Sequence, residues 1–109
     1  MGGKGMAQFS DATFEQDVLQ SDIPVLVDFT ATWCGPCKHL VPVLEKVAEA
    51  YSGRVLIGSV DVDANKQTAM KYLVRSIPTL ILINNGQVVE QSVGLVNASK
   101  LKGMFEKVL

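Results

Sequence analysis

The fold of this chain is decided by residues 25–37, which read VLVDFTATWCGPC. Val25 to Phe29 is a nearly continuous apolar run, and such a run is typical of a central strand covered on both faces. From Gly35 onward the apolar residues change to helical spacing, at Leu40, Val43, Leu44, Val47 and Tyr51. Pro36 suits the first turn of a helix, where its missing N–H costs no hydrogen bond. We therefore predict a strand that leads directly into a long helix ending near Gly53.

The flanking sequence predicts further strands and helices in alternation. A helix is predicted from about Thr13 to Gln20, with Thr13 and Gln16 placed as a capping box. Residues 6–9 suggest a short first strand. After the long helix the pattern predicts β-rich runs at 55–57 and 60–62, a helix at 65–73, strands at 79–83 and 88–93 joined by an Asn85-Gly86 hairpin turn, and a last helix capped by Asn97 or Ser99.

This alternation predicts an α/β fold of three layers, α/β/α, with a central mixed β-sheet flanked by four helices. Strands separated by helices imply parallel pairs, and the hairpin adds an antiparallel pair. We expect residues 7–109 to form a single domain. The glycine-rich residues 1–6 are expected to be a flexible N-terminal extension.

Composition narrows the classes of partner. The 109 residues are 48% hydrophobic and 19% charged, which is typical of a globular domain with one core. Ten Lys and Arg against eleven Asp and Glu give a net charge of -1, which argues against nucleic acid or an anionic membrane as the main partner. No apolar run reaches the roughly 18 residues that cross a bilayer. The N-terminus also lacks an apolar stretch of signal-peptide length, so a cytoplasmic location is expected.

The two cysteines of the chain, Cys34 and Cys37, are placed for chemistry rather than for stability. A disulfide that closes so short a loop removes little chain entropy. Cys34 falls at the strand-to-helix junction, where the partial positive charge of a helix N-terminus favours a thiolate. A Cys34 thiolate would attack a target disulfide, and Cys37 would then resolve the mixed disulfide.

A bare C-x-x-C motif is also compatible with half of a zinc site. Zinc needs two further ligands, and His39 is the chain's only other His or Cys. Haem attachment requires a histidine directly after the second cysteine, but Lys38 stands there. Both alternatives are therefore disfavoured by the sequence.

The motif Trp33-Cys34-Gly35-Pro36-Cys37-Lys38 resembles the active-site motif of the thioredoxin family. The resemblance extends from about Phe9 to Leu109. It includes, in order, Val27-Asp28-Phe29, Pro42, Val60-Asp61-Val62-Asp63, Ile77-Pro78-Thr79, Asn85-Gly86 and Gly94.

The resemblance implies a thioredoxin fold and a protein-disulfide reductase that works by dithiol–disulfide exchange. Such a protein maintains cytoplasmic thiols and donates electrons to target proteins. The electrons reside in the Cys34–Cys37 pair, so no bound cofactor and no metal are expected. The implied partners are protein disulfide substrates and a flavin-containing thioredoxin reductase, with no nucleic acid and no membrane, and we expect a monomer.

The resemblance also assigns roles to residues outside the cysteine pair. Asp28 lies within an apolar strand, where burial raises the pKa of a carboxyl group, and the resemblance makes it the proton acceptor for Cys37. Ile77-Pro78 is implied to be a cis peptide that faces the cysteines and pairs with an extended substrate segment. We call the apolar surface implied around Cys34 the docking rim; it comprises Trp33, Gly35, Pro36, Ile77, Pro78, Val93 and Gly94.

Two residues depart from the family pattern. Many thioredoxins carry an aromatic residue where Thr30 stands, and they commonly carry a lysine where Ser59 stands. Thr30 is expected to loosen packing beneath the motif. Without a lysine at position 59, the pKa of Asp28 is expected to be higher than in relatives that have one.

Two other functions are compatible with the same fold. A disulfide oxidase or isomerase would run the exchange in the other direction, and Gly35-Pro36 argues against it. A thioredoxin-like binding subunit would use the surface and not the thiols, and the two intact cysteines argue against that.

Overall fold

A mixed five-stranded sheet forms the centre of residues 5–109, the part of the chain that the computed structural model describes. Residues 1–4 of the predicted extension lie outside the described residues. The strands are β1 (Ala7–Gln8), β2 (Val25–Thr30), β3 (Leu56–Asp61), β4 (Thr79–Asn84) and β5 (Gln87–Val93). Their order across the sheet is β1-β3-β2-β4-β5; β3 is parallel to β1 and β2, whereas β4 is antiparallel to β2 and β5.

Helices cover both faces of the sheet. They are a π-helical turn (Glu15–Leu19), α1 (Gly35–Ala50), α2 (Lys66–Lys71) and α3 (Ala98–Glu106). Buried residues of α1 and α3 form one apolar cluster with one face of the sheet. The π-helical turn and α2 contribute to the cluster on the opposite face. The prediction of three layers, with four helical segments around a mixed sheet, is confirmed for residues 5–109.

Strand β2 lies at the centre of both clusters, which explains its continuous apolar sequence. Successive side chains of a strand point to opposite faces of a sheet. Val25 and Phe29 therefore pack into the cluster beneath the π-helical turn and α2, while Leu26 packs into the cluster beneath α1 and α3. Asp28 shares the parity of Leu26, so its carboxyl group lies on the face that α1 covers. Opposite it stand Ser59 on β3 and Leu80 on β4.

The predicted capping box of Thr13 and Gln16 is wrong. The reciprocal bonds form instead in the turn before the helical segment, where the Ser10 N–H donates to Thr13 Oγ1 at 3.0 Å and the Thr13 N–H donates to Ser10 Oγ at 3.2 Å. The Thr13 side chain thus accepts the backbone hydrogen bond that a Glu or Gln side chain accepts in a capping box. Phe14, which follows this turn, lies in the core at 4% exposure.

The short helix α2 is held at its N-terminus by a residue far away in the sequence. Asn65 stands at the N-cap position, but its side chain makes no capping bond. Instead, the Asp11 carboxylate accepts bonds from the Thr68 N–H at 2.9 Å and the Thr68 hydroxyl at 2.6 Å. The bond from the Thr68 hydroxyl is the largest cause that lowers the pKa of Asp11. Because 57 residues separate the partners, local sequence patterns do not reveal this cap.

Two turn predictions are confirmed. Asn85 and Gly86 have φ values of 54° and 76°, the positive values that a type I′ hairpin turn requires at both central positions. Asn97 caps α3, since its side chain accepts a bond from the Lys100 N–H at 2.9 Å.

Two glycines offer a matched test of the packing. A Cβ on Gly58 of β3 would lie 2.5 Å from the Phe9 ring and 2.9 Å from the Ala7 carbonyl oxygen, whereas a Cβ on Gly103 of α3 would meet nothing within 4 Å. We expect Gly58→Ala to lower the free energy of unfolding by about 1–3 kcal/mol through overpacking. Gly103→Ala should raise it by about 0.5–1 kcal/mol through helix propensity. Urea unfolding of both variants tests this, and an unchanged midpoint for Gly58→Ala would contradict the β1–β3 packing.

Candidate active site

Cys34 and Cys37 are joined as a disulfide at the start of α1, with their Cα atoms 5.3 Å apart. Cys34 is the N-cap residue of α1 and has an extended backbone. The Cys37 N–H donates to Cys34 Sγ at 3.2 Å. In the reduced protein, this N–H and the positive end of the helix would both stabilise a thiolate on Cys34. The predicted position of Cys34 at the strand-to-helix junction is confirmed.

The cysteine pair is packed in an apolar environment. Cys34 and Cys37 are 4% and 2% exposed, and they form a small cluster with Ala31. Val62 and Ile77 pack against this cluster. A target disulfide must therefore make contact with these apolar residues to reach either sulfur.

Asp28 is a buried acid on the sheet face that α1 covers. It is 2% exposed, and among the described residues its Oδ1 has no hydrogen-bond partner. Burial raises the pKa of this carboxyl group from the ordinary value of 3.8 to about 7. Asp28 therefore exchanges its proton near neutral pH, as a general acid or base must.

The neighbour of Asp28 across the sheet is Ser59. Its side chain is neutral, and desolvation is the cause of the raised pKa of Asp28. That this pKa is higher than in relatives with a lysine at position 59 stays a prediction. Thr30, the other departure, is half-buried at the end of β2.

The cis-proline segment lies against the cysteine pair. The Ile77–Pro78 peptide bond is cis, as the resemblance implied. The Pro78 carbonyl accepts a bond from the Gly94 N–H at 2.8 Å, which joins the two segments. Val93 pairs with Thr79 on β4, but its side chain is 60% exposed. Val93 is therefore a surface residue and not part of the core.

Trp33 borders a groove beside the cysteines. Its side chain is 68% exposed, and its indole N–H donates to Asp63 Oδ2 at 2.7 Å. Gly35 and Pro36 are also exposed, at the first turn of α1. The groove is lined by Trp33, Val62, Val74, Arg75, Ser76 and Ile77.

Part of this groove is not predicted by any pattern in the sequence. Asp63 had been noted as part of the resemblance, but no role followed from it. Val74 and Arg75 were not singled out, because they lie in an irregular segment between α2 and β4 with no periodic pattern. The one sequence feature that could have indicated this part of the groove is the positive charge of Arg75 close to the apolar Ile77-Pro78 segment.

Residues 5–109 bring together no group of three His, Cys, Asp or Glu side chains that could hold a metal ion. The second half of the zinc site considered from the sequence is therefore not supplied within this part of the chain. Within the same residues, every helix is too short or too polar to span a bilayer.

Comparison with known proteins decides the family. The thioredoxin family profile matches residues 5–107. The chain belongs to the thioredoxin family. It is 48% identical to thioredoxin 1 of Nostoc sp. over 94% of this chain and 96% of that protein. It is 51% identical to the thioredoxin of Haemophilus influenzae over 90% of this chain and 92% of that protein.

Membership confirms the predicted function as well as the fold. The chain is a thiol–disulfide oxidoreductase, a thioredoxin-type protein-disulfide reductase. Like other members of the thioredoxin family, it uses its own cysteine pair as the redox centre and acts on protein disulfides.

The raised pKa of Asp28 predicts how stability depends on pH. Below about pH 4 the carboxyl group is protonated in both the folded and the unfolded chain. Between about pH 4 and 7 only the unfolded chain loses the proton, so the folded state loses stability as pH rises. A shift from 3.8 to about 7 corresponds to about 4 kcal/mol as an order of magnitude.

Asp28→Asn, which is neutral at every pH, should therefore match the unsubstituted oxidised protein near pH 4 and be more stable by up to about 4 kcal/mol at pH 8. Urea unfolding at the two pH values measures the difference. A stability gain that is the same at both pH values would show that Asp28 does not titrate near neutrality.

Proposed function

We propose that Cys34 attacks target disulfides, that Cys37 resolves the mixed disulfide, and that Asp28 accepts the Cys37 proton. The observation that carries this proposal is the position of Cys34 Sγ, which caps α1 and accepts the Cys37 N–H. A sulfur in this position is stabilised as a thiolate, and the thiolate is the nucleophile of disulfide exchange.

The proposed exchange has two steps. The Cys34 thiolate attacks one sulfur of the target disulfide, which forms a mixed disulfide and releases the other target sulfur as a thiolate. The Cys37 thiol then gives its proton to Asp28 and attacks Cys34 Sγ. This second attack forms the Cys34–Cys37 disulfide and releases the remaining target sulfur, so two electrons pass from the cysteine pair to the target.

Asp28 supports the second step because it lies on the sheet face covered by α1, the helix that carries Cys37. The pKa of about 7 makes Asp28 a better proton acceptor than an ordinary carboxylate. Its unpartnered Oδ1 also leaves one oxygen without a competing hydrogen bond among the described residues.

Targets are proposed to dock on the rim around Cys34. Trp33 and Val93 are exposed, and Ile77, which precedes the cis Pro78, packs against the cysteine pair. An extended target segment would pair with the backbone of Ile77 by strand-type hydrogen bonds. The hydrogen bond from the Gly94 N–H to the Pro78 carbonyl supports the inclusion of Gly94 in the docking rim.

The electron donor and the cellular location of the protein are proposed from the family resemblance. A flavin-containing thioredoxin reductase would reduce the Cys34–Cys37 disulfide after each turnover, in the cytoplasm. We further propose that the protein works as a monomer with residues 7–109 as its one domain. The family match over residues 5–107 supports the extent of the domain.

Serine substitutions separate the roles of the two cysteines. Cys34→Ser should abolish reduction of a protein disulfide such as that of insulin, because the nucleophile is lost. The Cys37→Ser variant should still attack target disulfides through Cys34 and form mixed disulfides, but it should not release the target, since no resolving thiol remains. Non-reducing electrophoresis and mass spectrometry measure the trapped adducts. Retained turnover in Cys34→Ser, or an absence of adducts with Cys37→Ser, would contradict the assignment.

Asp28→Asn tests the proton acceptor. The second step should slow by about 100-fold or more, the usual size of general-base catalysis, while the first step keeps its rate. Stopped-flow single-turnover kinetics on a preformed mixed disulfide isolates the second step. Asp22→Asn, an exposed acid before β2, provides the control and should leave both steps unchanged. An unaltered rate and pH dependence of the second step in Asp28→Asn would remove Asp28 from the mechanism.

A further inference from the structure

Leu73 occupies a backbone conformation that leucine rarely adopts. It follows the C-terminus of α2 and has a φ of 56°. The Leu73 N–H donates to the Met70 carbonyl at 3.1 Å, and the Val74 N–H donates to the Ala69 carbonyl at 3.0 Å. These two bonds form a Schellman motif, in which the left-handed residue is usually glycine. A side chain with a Cβ is unfavourable there because it crowds the following carbonyl oxygen.

Packing within the chain does not compensate for this conformation. The Leu73 side chain is 70% exposed, and Met70, one turn earlier, is 74% exposed. At the other described positions of positive φ the chain carries glycine, as at Gly53 and Gly94, or asparagine, at Asn85. A leucine at position 73 therefore adds little apolar burial and requires an unfavourable backbone conformation in the isolated chain, which points to a role outside the fold.

The position of Leu73 connects it to the active site. Leu73 directly precedes Val74, which lines the groove together with Trp33 and Ile77. Ile77 in turn packs against the cysteine pair. Met70 lies in the last turn of α2, three residues before Leu73, and both residues are exposed. The exposed Leu73 is therefore joined through the chain to the groove beside the cysteine pair.

Two cations stand on either side of Leu73 in the sequence, each two residues away. Lys71 and Arg75 are both exposed, and no ion pair with another described residue engages either of them. The Lys71 ammonium group lies 5.6 Å from the centre of the Tyr72 ring. A partner that meets Leu73 therefore approaches a segment that also carries two exposed positive charges.

We propose that Met70 and Leu73 form the outer part of the target-docking surface and select protein disulfides that carry an apolar side chain flanked by acidic residues. This inference rests on the proposed docking of targets beside Cys34. The acidic residues would meet Lys71 and Arg75, and the apolar side chain would cover Leu73. Leu73 is then a specificity residue, and it takes no part in the exchange of electrons.

Peptides in mixed disulfide with glutathione test the proposal. Each peptide of the first series has a single cysteine and one leucine flanked by aspartates. The distance of this Leu/Asp segment from the cysteine increases along the series, on either side. In the matched series Ser replaces Leu and Asn replaces Asp. The unsubstituted protein should reduce the Leu/Asp peptide of at least one spacing with a kcat/KM about tenfold higher than its match. Partial burial of a leucine side chain is sufficient for a preference of this size.

Leu73→Gly should remove this preference while glutathione disulfide and the Ser/Asn peptides are reduced at the unsubstituted rate. The same variant should be more stable, with a folding equilibrium constant raised about tenfold and a higher urea midpoint. Asn85→Gly is the matched control, because it relieves a positive φ at the opposite end of the sheet and should keep the preference.

Three results would overturn the proposal: equal rates for both peptide series at every spacing, a preference that survives in Leu73→Gly, or no gain in stability in that variant. A failure of the unsubstituted protein to reduce even glutathione disulfide would instead contradict the proposed chemistry of Cys34. The two failures are therefore distinguishable.

Discussion

The burial of β2 on both faces is the constraint on which the rest of the structure depends. This strand pairs with β3 on one side and β4 on the other, so both apolar clusters are built on its side chains. It carries Asp28 into the interior, and its end leads directly to Cys34 at the start of α1. The position of the redox pair and the environment of the buried acid therefore follow from one strand.

That single strand also explains why the active site is unfavourable for stability. A carboxyl group at the centre of a two-sided core is desolvated whichever way it points, and Oδ1 finds no partner among the described residues. An apolar residue at position 28 would suit the packing better. Natural sequences break such local rules chiefly at functional sites, and the departure at Asp28 lies on the sheet face beneath the helix of the cysteine pair.

The elements that were predictable from the sequence are those with strong periodicity or turn chemistry. Residues 25–29 gave β2 because a strand buried on both faces has no polar alternation to obscure it, and Asn85-Gly86 gave the hairpin because few other residues accept two positive φ values. The fold and the cysteine site followed from these patterns together with the family resemblance.

The features that escaped prediction depend on contacts between distant residues. The cap of α2 comes from Asp11, and the indole of Trp33 is held by Asp63, thirty residues away. No local sequence pattern predicts either contact. The capping box at Thr13 was wrong because the chain already turns at Ser10, where the Phe14 N–H donates to the Ser10 carbonyl and the Phe14 side chain is buried. Tertiary packing decides such boundaries even where a local signal exists.

The neutral residue beside Asp28 bears on how the proposed proton acceptor works. A cation at position 59 would stabilise the carboxylate and lower its pKa, so the group would be ionised throughout the neutral range but would be a weaker base. With Ser59 in that place, desolvation acts unopposed and the pKa reaches about 7. Near neutral pH both protonation states are then well populated. Asp28 can accept the Cys37 proton when a target is reduced and return it when the disulfide is reduced in turn, and for a carrier that must run in both directions this balance is more useful than a fixed charge.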